Sequence, residues 1–140
     1  TDYDYTHVES TYQAGLAAYA EAGVKNPRQE IGMAELHDCF SITEAVTCED
    51  LQFSPRGKVR EDIESGFFNL DGGLPVQPDG GLKCFGHPIG ASGLRMMYEM
   101  YKQIQGKAGP RQLKNPKWGL THNLGGSPPA CTIFVGIVGE

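Results

Sequence analysis

A glycine-rich stretch at residues 80–93 carries the side chain best suited to acid–base chemistry in this sequence. It reads Gly-Gly-Leu-Lys-Cys-Phe-Gly-His-Pro-Ile-Gly-Ala-Ser-Gly, and within it only His87 ordinarily titrates near neutral pH. Pro88 follows directly and a helical pattern begins there, which predicts His87 as the N-cap residue of a helix. Because the positive end of a helix opposes a further positive charge, we expect a neutral imidazole that accepts a proton.

A second polar segment is the turn His37-Asp38-Cys39-Phe40. It follows an apolar run at residues 31–36, which predicts a strand, and precedes a predicted helix at residues 42–51. Ser41 and Glu44 have the spacing of a capping box, with Ser41 as the N-cap residue. In open α/β sheets ligands bind at the carboxyl ends of strands, so this turn is a candidate part of a site.

A third segment, residues 123–129, is rich in glycine and proline and predicts a loop. It lies between apolar runs at 118–122 and 130–138, both of which predict strands. Together with a predicted helix at 6–22, the alternation of strands and helices favours an α/β layer architecture.

The helix after His87 is expected to position the central loop through a buried face. Small or apolar residues recur in it at close to 3.6-residue spacing. They predict a face made of Gly90, Leu94, Met97, Tyr101 and Ile104.

The composition excludes several classes of partner. The 140 residues fit one domain, with 39% hydrophobic and 21% charged residues, as in soluble globular proteins. A net charge of −5 provides no basic surface for nucleic acid, and no apolar run approaches the roughly 20 residues that span a bilayer. The four cysteines form no CxxC pair, which indicates reduced thiols in a cytosol-like compartment. The sequence begins at Thr1, without methionine, so we expect it to be part of a longer protein.

A metal site is one reading of the histidines and cysteines in the three segments. Their imidazoles and thiols would suit zinc. The spacings do not match common paired-cysteine ligand patterns, and a helix N-terminus is a poor neighbour for a cation, so we expect no metal. The candidate ligands are His37, Cys39, Cys84, His87 and His122.

Acyl chemistry is the other reading, and here the motifs are specific. Residues 86–93 resemble the GHPxGxxG motif of thiolases, and the turn at 37–40 is similar to the HDCF variant of the thiolase NEAF motif in sterol-carrier-protein-type thiolases. Residues 123–126, Asn-Leu-Gly-Gly, fall where ordinary thiolases carry their CxG loop. The resemblance implies the C-terminal half of the α/β thiolase fold, a mixed sheet layered between helices. Residues 1–140 would form this domain, and the N-terminal half with the nucleophilic cysteine would lie elsewhere.

The resemblance also implies residue roles. Thiolases cleave a 3-oxoacyl-CoA with coenzyme A, or run the reverse Claisen condensation, so coenzyme A is a substrate and no cofactor is covalently bound. His87 matches the histidine that activates the nucleophile and helps to hold the thioester oxygen. His37 replaces the asparagine that holds a water in that oxyanion hole, and it also donates a hydrogen bond. Phe40 matches a phenylalanine of the acyl pocket, while Gly125 and Gly126 would let backbone N–H groups approach a second oxyanion.

Two departures from ordinary thiolases concern the cysteines. Asn123 stands where those enzymes have their acid/base cysteine, and an amide cannot shuttle a proton. In the sterol-carrier type the HDCF cysteine takes over this task, so the resemblance implies Cys39, with a buried packing residue as the alternative. No residue here matches the nucleophilic cysteine. We expect Cys48 and Cys131 in the core and Cys84 in the pocket lining.

These observations favour a thiolase-like acyltransferase of the acetyl-CoA acetyltransferase type, acting on acyl-CoA in lipid metabolism and inactive as an isolated chain. Its expected partners are an N-terminal half or chain and a second copy in a homodimer; the expected compartment is the cytoplasm, or the peroxisome in a eukaryote. β-Ketoacyl synthases carry a similar Gly-His loop, but Pro88 and the HDCF turn favour thiolase. Two alternatives stay open. One is a retro-aldolase on CoA thioesters with a small zinc-ribbon/OB-fold partner, and the other is a non-catalytic scaffold subunit.

Overall fold

The computed structural model describes residues 4–114, 116–127 and 129–139. A three-stranded sheet is combined with six α-helices and a short 3₁₀ helix in this part of the chain. Of the helices described, none has the length and apolar character needed to cross a membrane. The elements are α1 (Glu9–Ala22), α2 (Pro27–Glu30), β1 (Met33–Glu35), α3 (Ser41–Asp50), α4 (Val59–Glu64), α5 (Gly81–Phe85), α6 (Ser92–Ile104), the 3₁₀ helix (Gly109–Arg111), β2 (Trp118–Ser127) and β3 (Ala130–Gly139).

The sheet is mixed, with the strand order β1-β2-β3. β1 runs parallel to β2, with Glu35 opposite Thr121, and β2 runs antiparallel to β3. Because β1 ends at Glu35, the chain leaves the sheet beside the outer half of β2 and turns through residues 36–40 into α3. This register is what brings the 37–40 turn next to Asn123.

Helices cover both faces of the sheet. Successive side chains of a strand point to opposite faces, and in β2 His122 meets Thr11 of α1 whereas Thr121 meets Met97 of α6. The larger apolar core lies where α1 and α3 meet the sheet, and a smaller one lies under α6. The predicted α/β architecture, a mixed sheet layered between helices, is confirmed.

The predicted start of the central helix is wrong. α6 begins at Ser92 with Ala91 as its N-cap residue, and His87 lies outside it. The residues between form a turn, in which the backbone N–H groups of Ala91 and Ser92 donate to the Pro88 carbonyl at 2.8 and 2.9 Å. Proline therefore initiates a turn here, and His87 does not occupy the positive end of a helix.

The predicted buried face of this helix is also wrong. Leu94 and Tyr101 are 73% and 54% exposed. Polar members of the buried face have partners: Gln103 donates to the Glu99 carboxylate at 2.9 Å. Polar side chains can be buried when they hydrogen-bond each other. A prediction based on the spacing of apolar residues therefore does not identify this face. The buried residues are Ser92, Met96, Glu99, Met100 and Gln103.

Two local predictions at other boundaries need correction. The capping box does not form: Phe40 is the N-cap residue of α3, with no side-chain cap, and its carbonyl accepts the N–H of Glu44 at 3.2 Å. The predicted loop at 123–129 is strand as far as Ser127, which pairs with Ala130 of β3; residue 128 lies outside the described residues. Antiparallel pairing with β3 keeps this segment in the sheet despite the low strand propensity of its glycines.

Candidate active site

A cavity of ≈ 710 Å³ opens at the carboxyl end of β1, between the outer half of β2 and the start of α6. Elements far apart in sequence meet there because β1 and β2 are parallel neighbours and α6 crosses the same face. Its walls are largely apolar, with two imidazoles and one amide among them. The lining residues are His37, His87, Ile89, Gly90, Gly93, Leu94, Met97, Asn123, Leu124, Gly125, Gly126, Thr132 and Phe134.

The two imidazoles in this cavity face each other. The ring centroids of His37 and His87 lie 4.8 Å apart, with the ring planes at 85°. His37 is 7% exposed, whereas His87 is exposed at the cavity edge. Burial lowers the pKa of His37, and the nearby His87 lowers it further, while the charge of Asp38 acts in the opposite direction. His37 is therefore held as a neutral imidazole.

The backbone of β2 selects the tautomer of His37. The N–H of Leu124 points at Nδ1 of His37, with 3.4 Å between the two nitrogen atoms. A backbone N–H only donates, so Nδ1 accepts and the proton of the neutral ring lies on Nε2. His37 therefore presents an N–H donor from Nε2.

The first turn of α6 selects the opposite arrangement in His87. The Ser92 hydroxyl donates to the Pro88 carbonyl at 3.2 Å, so its oxygen accepts from Nδ1 of His87, 2.8 Å away. In the neutral ring the proton then lies on Nδ1 and Nε2 carries the lone pair, which is the arrangement a general base needs. A serine buried at the start of α6, and not a helix N-terminus, thus selects this tautomer of the neutral ring.

The remaining predicted site residues divide into two groups. Asn123, Gly125 and Gly126 line the cavity on the β2 side. Cys39 is half-buried in the turn after His37, and Phe40 is 67% exposed beside it; neither belongs to the cavity lining. The structure therefore brings five of the seven residues around one cavity and leaves these two in the adjoining turn.

Asn123 and Gly126 are held by packing and backbone constraints. The Asn123 amide nitrogen lies 3.4 Å from Met96 Sδ, so the side chain lies against the first turns of α6. Gly126 has φ +90°, and a Cβ there would lie 2.6 Å from the Ala130 carbonyl oxygen. Only glycine suits this position, and the backbone stays open toward the cavity.

The other cysteines and His122 lie away from the cavity. Cys48 is buried in the core, as predicted, and burial raises the pKa of its thiol, whereas Cys131 is half-buried in β3. Cys84, predicted in the pocket lining, is exposed on α5 and does not line the cavity. His122, a candidate zinc ligand by residue type, is fully buried against Thr11. Among the side chains described, no group of three or more His, Cys, Asp or Glu residues is arranged to hold a metal ion.

The sequence analysis does not identify the two groups that hydrogen-bond the imidazoles, Ser92 and the backbone N–H of Leu124. Ser92 had a readable signal, because a hydroxyl five residues after His87 and next to a helix start lies within reach of the loop. The Leu124 contact had none, since it depends on the register between β1 and β2.

Comparison with known proteins places this geometry in a broader context. A family model described as "Thiolase C-terminal domain-like" matches residues 1–135. An acetyl-CoA acetyltransferase of Methanothermobacter thermautotrophicus is 38% identical over 132 residues, which cover 94% of this chain and 34% of that protein. Sterol carrier protein 2 of Gallus gallus is 36% identical over 135 residues, covering 89% of this chain and 24% of that protein.

A solved structure shares the fold. A chain of the "Ltp2-ChsH2(DUF35) aldolase" aligns with a TM-score of 0.77 and 25% identity, over 95% of this chain and 33% of that one. The chain thus spans about a third or less of the length of these relatives.

Proposed function

The chain belongs to the thiolase C-terminal domain-like family, and on that premise we propose that it is the C-terminal half of a thiolase-like acyl-CoA acyltransferase. The reaction is thiolysis of a 3-oxoacyl-CoA, or the reverse Claisen condensation. In thiolysis a cysteine of the N-terminal half attacks the 3-keto carbon and the Cα–Cβ bond breaks. The released acetyl-CoA enolate takes up a proton, and the thiol of coenzyme A then removes the acyl group from the cysteine.

One observation carries this proposal: the two imidazoles are fixed with opposite hydrogen-bonding roles in one cavity. His87 has a free lone pair on Nε2, because Nδ1 donates to Ser92, and it accepts the proton of the attacking thiol. His37 has its proton on Nε2, because Leu124 donates to Nδ1, and it donates to the thioester oxygen as negative charge develops. A base and an oxyanion donor are the two functions that acyl transfer to a thiol requires.

The other predicted residues complete the proposal. Cys39, two residues after His37, moves the proton at the α-carbon, since Asn123 cannot. Asn123, Gly125 and Gly126 hold the second oxyanion from the β2 wall, and Phe40 contacts the acyl chain beside the cavity.

The missing nucleophile requires an N-terminal half or chain over the open cavity, in a full protein that we propose to be a homodimer. Exposed apolar side chains at the cavity rim are consistent with this; Ile89 is 89% exposed and Leu94 is 73% exposed.

The test compares this chain with the full-length protein, using a 3-oxoacyl-CoA plus coenzyme A and measuring substrate loss and acetyl-CoA formation. We expect turnover by the full-length protein and none by the isolated chain. Turnover by the isolated chain would contradict the proposal that an N-terminal half completes the active site. A full-length protein inactive with both 3-oxoacyl-CoA and acetyl-CoA would contradict acyl transfer.

A retro-aldolase is the second candidate, favoured by the similarity to a chain of the Ltp2-ChsH2(DUF35) aldolase and by Asn123 in place of the usual cysteine. It would cleave a 3-hydroxyacyl-CoA to a carbonyl compound and a shorter acyl-CoA, together with a zinc-ribbon/OB-fold partner. Assaying 3-hydroxyacyl-CoA against 3-oxoacyl-CoA, with and without such a partner, separates the two. Activity on neither substrate, together with no iodoacetamide-reactive cysteine in the N-terminal half or partner chain, would favour a scaffold; Cys84 of this chain is exposed and is expected to label in either case.

A further inference from the structure

We propose that Asp38 is a positioning residue: its carboxylate fixes the separation of the His37 and His87 imidazoles by tying together the two segments that carry them. The catalytic consequence rests on the proposed function, but the structural one does not. Asp38 is 3% exposed and does not line the cavity, so it acts through its neighbours.

The tie is a hydrogen bond at the start of α5. Oδ1 of Asp38 accepts the backbone N–H of Leu82 at 2.8 Å. Asp38 follows His37 in the sequence. Leu82 lies five residues before His87, and only the rest of α5 and Gly86 separate the two. A buried charge-assisted hydrogen bond thus links the segment of one imidazole to the segment of the other.

The fit around this carboxylate is close. Gly81 has φ +67°, and a Cβ at that position would overlap Oδ2 of Asp38. The N–H of Gly81 is accepted by Oδ1 of Asp79 at 2.9 Å, so two successive N–H groups at the start of α5 are held by two carboxylates. The Asp38 carboxylate therefore packs directly against the backbone of Gly81, and this contact joins α5 to the 37–40 turn.

A second contact fixes the other side of His37. The Gln77 amide accepts the N–H of Leu36 at 3.1 Å and donates to its carbonyl at 2.8 Å. Gln77 adopts φ +56°, which is uncommon for a non-glycine residue. Residues 36 and 38 are therefore both anchored to the 77–82 segment, and His37 lies between two fixed points.

Catalysis depends steeply on such placement, since a displacement of about 1 Å can cost on the order of 100-fold in rate. The discriminating variants are Asp38→Ala, which removes the acceptor, and Asp38→Asn, which keeps an amide oxygen in the place of Oδ1 but removes the charge. In the full-length protein we expect Asp38→Ala to lower kcat about 10- to 100-fold with KM within about threefold, and Asp38→Asn to stay within about threefold in both.

Asp62→Ala is the matched control, because Asp62 is a largely buried carboxylate of α4 that pairs with Arg28 outside the cavity. It should lower stability while leaving kcat within about threefold. If Asp38→Asn loses as much kcat as Asp38→Ala, charge is the essential property and the positioning role is overturned. An unchanged kcat in Asp38→Ala would overturn it as well.

Hydrogen–deuterium exchange provides a readout that does not depend on activity. In the full-length protein, Asp38→Ala should raise amide exchange about 10-fold or more across residues 82–87, whereas Asp38→Asn and Asp62→Ala should not. Unchanged exchange at 82–87 in Asp38→Ala overturns the tie, even if no CoA thioester is ever turned over. Raised exchange in a protein inactive toward every thioester would retain the tie and count against the proposed function alone.

Discussion

Nδ1 of His87 lies 2.8 Å from Oγ of Ser92, the first residue of α6, and Oγ in turn lies 3.2 Å from the Pro88 carbonyl. The hydrogen bonds run in one direction: Nδ1 of His87 donates to the buried Ser92 hydroxyl, which donates to the Pro88 carbonyl. In the neutral ring that direction places the proton on Nδ1, so Nε2 is the nitrogen able to act as a base. The arrangement is local in sequence, and it holds the ring at the rim of the cavity.

Ser92→Ala tests this relationship. Without the hydroxyl, the two neutral tautomers of His87 approach equal populations and the ring is less restrained. Equal tautomer populations lower kcat only about twofold, and with the lost restraint on the ring we expect a total fall of about 10-fold, the equivalent of one hydrogen bond of about 1.4 kcal/mol. Steady-state kinetics across pH measure it, with Ser65→Ala on the exposed end of α4 as the control. An Ser92→Ala enzyme with wild-type kcat at every pH would show that the tautomer does not matter.

His87→Ala should be the most damaging single change in the cavity for the chemical step. Removing a general base costs on the order of 10²–10⁴ in rate, whereas KM should change by no more than about threefold. Turnover and KM of the full-length protein with a 3-oxoacyl-CoA are the measurements. His7→Gln removes an imidazole that binds Asp50, outside the cavity, and should keep turnover. Equal losses of kcat and of substrate affinity in His87→Ala would count against a catalytic role.

His122 should make stability depend on pH. Burial lowers the pKa of its fully buried imidazole to about 3, against 6.5 for the ordinary group. Between pH 6.5 and about 3, His122 is therefore protonated in the unfolded chain and neutral in the folded chain. Stability contributed by neutral His122 is complete above pH 6.5 and is lost at roughly 1.4 kcal/mol per pH unit as the pH falls toward 3.

His122→Gln should remove this dependence. The free energy of unfolding of the full-length protein is measured with denaturant from pH 4 to 8. At pH values under 6.5 the wild-type protein should lose stability relative to the variant. Subtracting the two curves matters because Glu35, whose pKa burial raises to about 8, has the opposite sign and loses stability as the pH rises from 4.5 through 8. Parallel curves for the two proteins would refute the buried neutral state of His122.

Gly126→Ala should destabilise the β2–β3 hairpin, and Gly125→Ala is its matched control. At 126, φ is +90° and the added Cβ would meet the Ala130 carbonyl at 2.6 Å, so we expect a loss of about 1–3 kcal/mol. At 125 the nearest atom to an added Cβ is the Thr132 carbonyl oxygen at 4.0 Å, so the change should stay within about 0.5 kcal/mol. Both are measured by denaturant unfolding. Equal losses at the two positions would contradict this backbone argument.

Much of the architecture and the choice of cavity residues followed from local patterns in the sequence. The strand predicted at 31–36 and the helices predicted at 6–22 and 42–51 are present with shifts of a few residues, and His37 and His87 share a cavity. Residue type and spacing were sufficient for the helices and strands, whereas the choice of cavity residues followed from the motifs that resemble those of thiolases.

Two of the errors, at the buried face of α6 and at residues 123–127, arose because those segments contact partners outside the local pattern, whereas the Pro88 turn and the absent capping box are local differences. The buried face of α6 includes Glu99 and Gln103, which is possible because Arg111 and Gln103 satisfy the Glu99 carboxylate. The predicted loop after Asn123 is a strand because β3 pairs with it.

The amino-acid sequence by itself determined the α/β class, the helical and strand segments and the family motifs, since these depend on neighbours within a few residues. Only the tertiary structure decided which nitrogen of the His37 imidazole carries the proton, whereas the partner of His87 is local in sequence. The tautomer of His37 is selected by a backbone N–H that is 87 residues away in the chain. The physical reason is that a hydrogen bond acts over about 3 Å of space, and the chain folds to bring donor and acceptor within that distance.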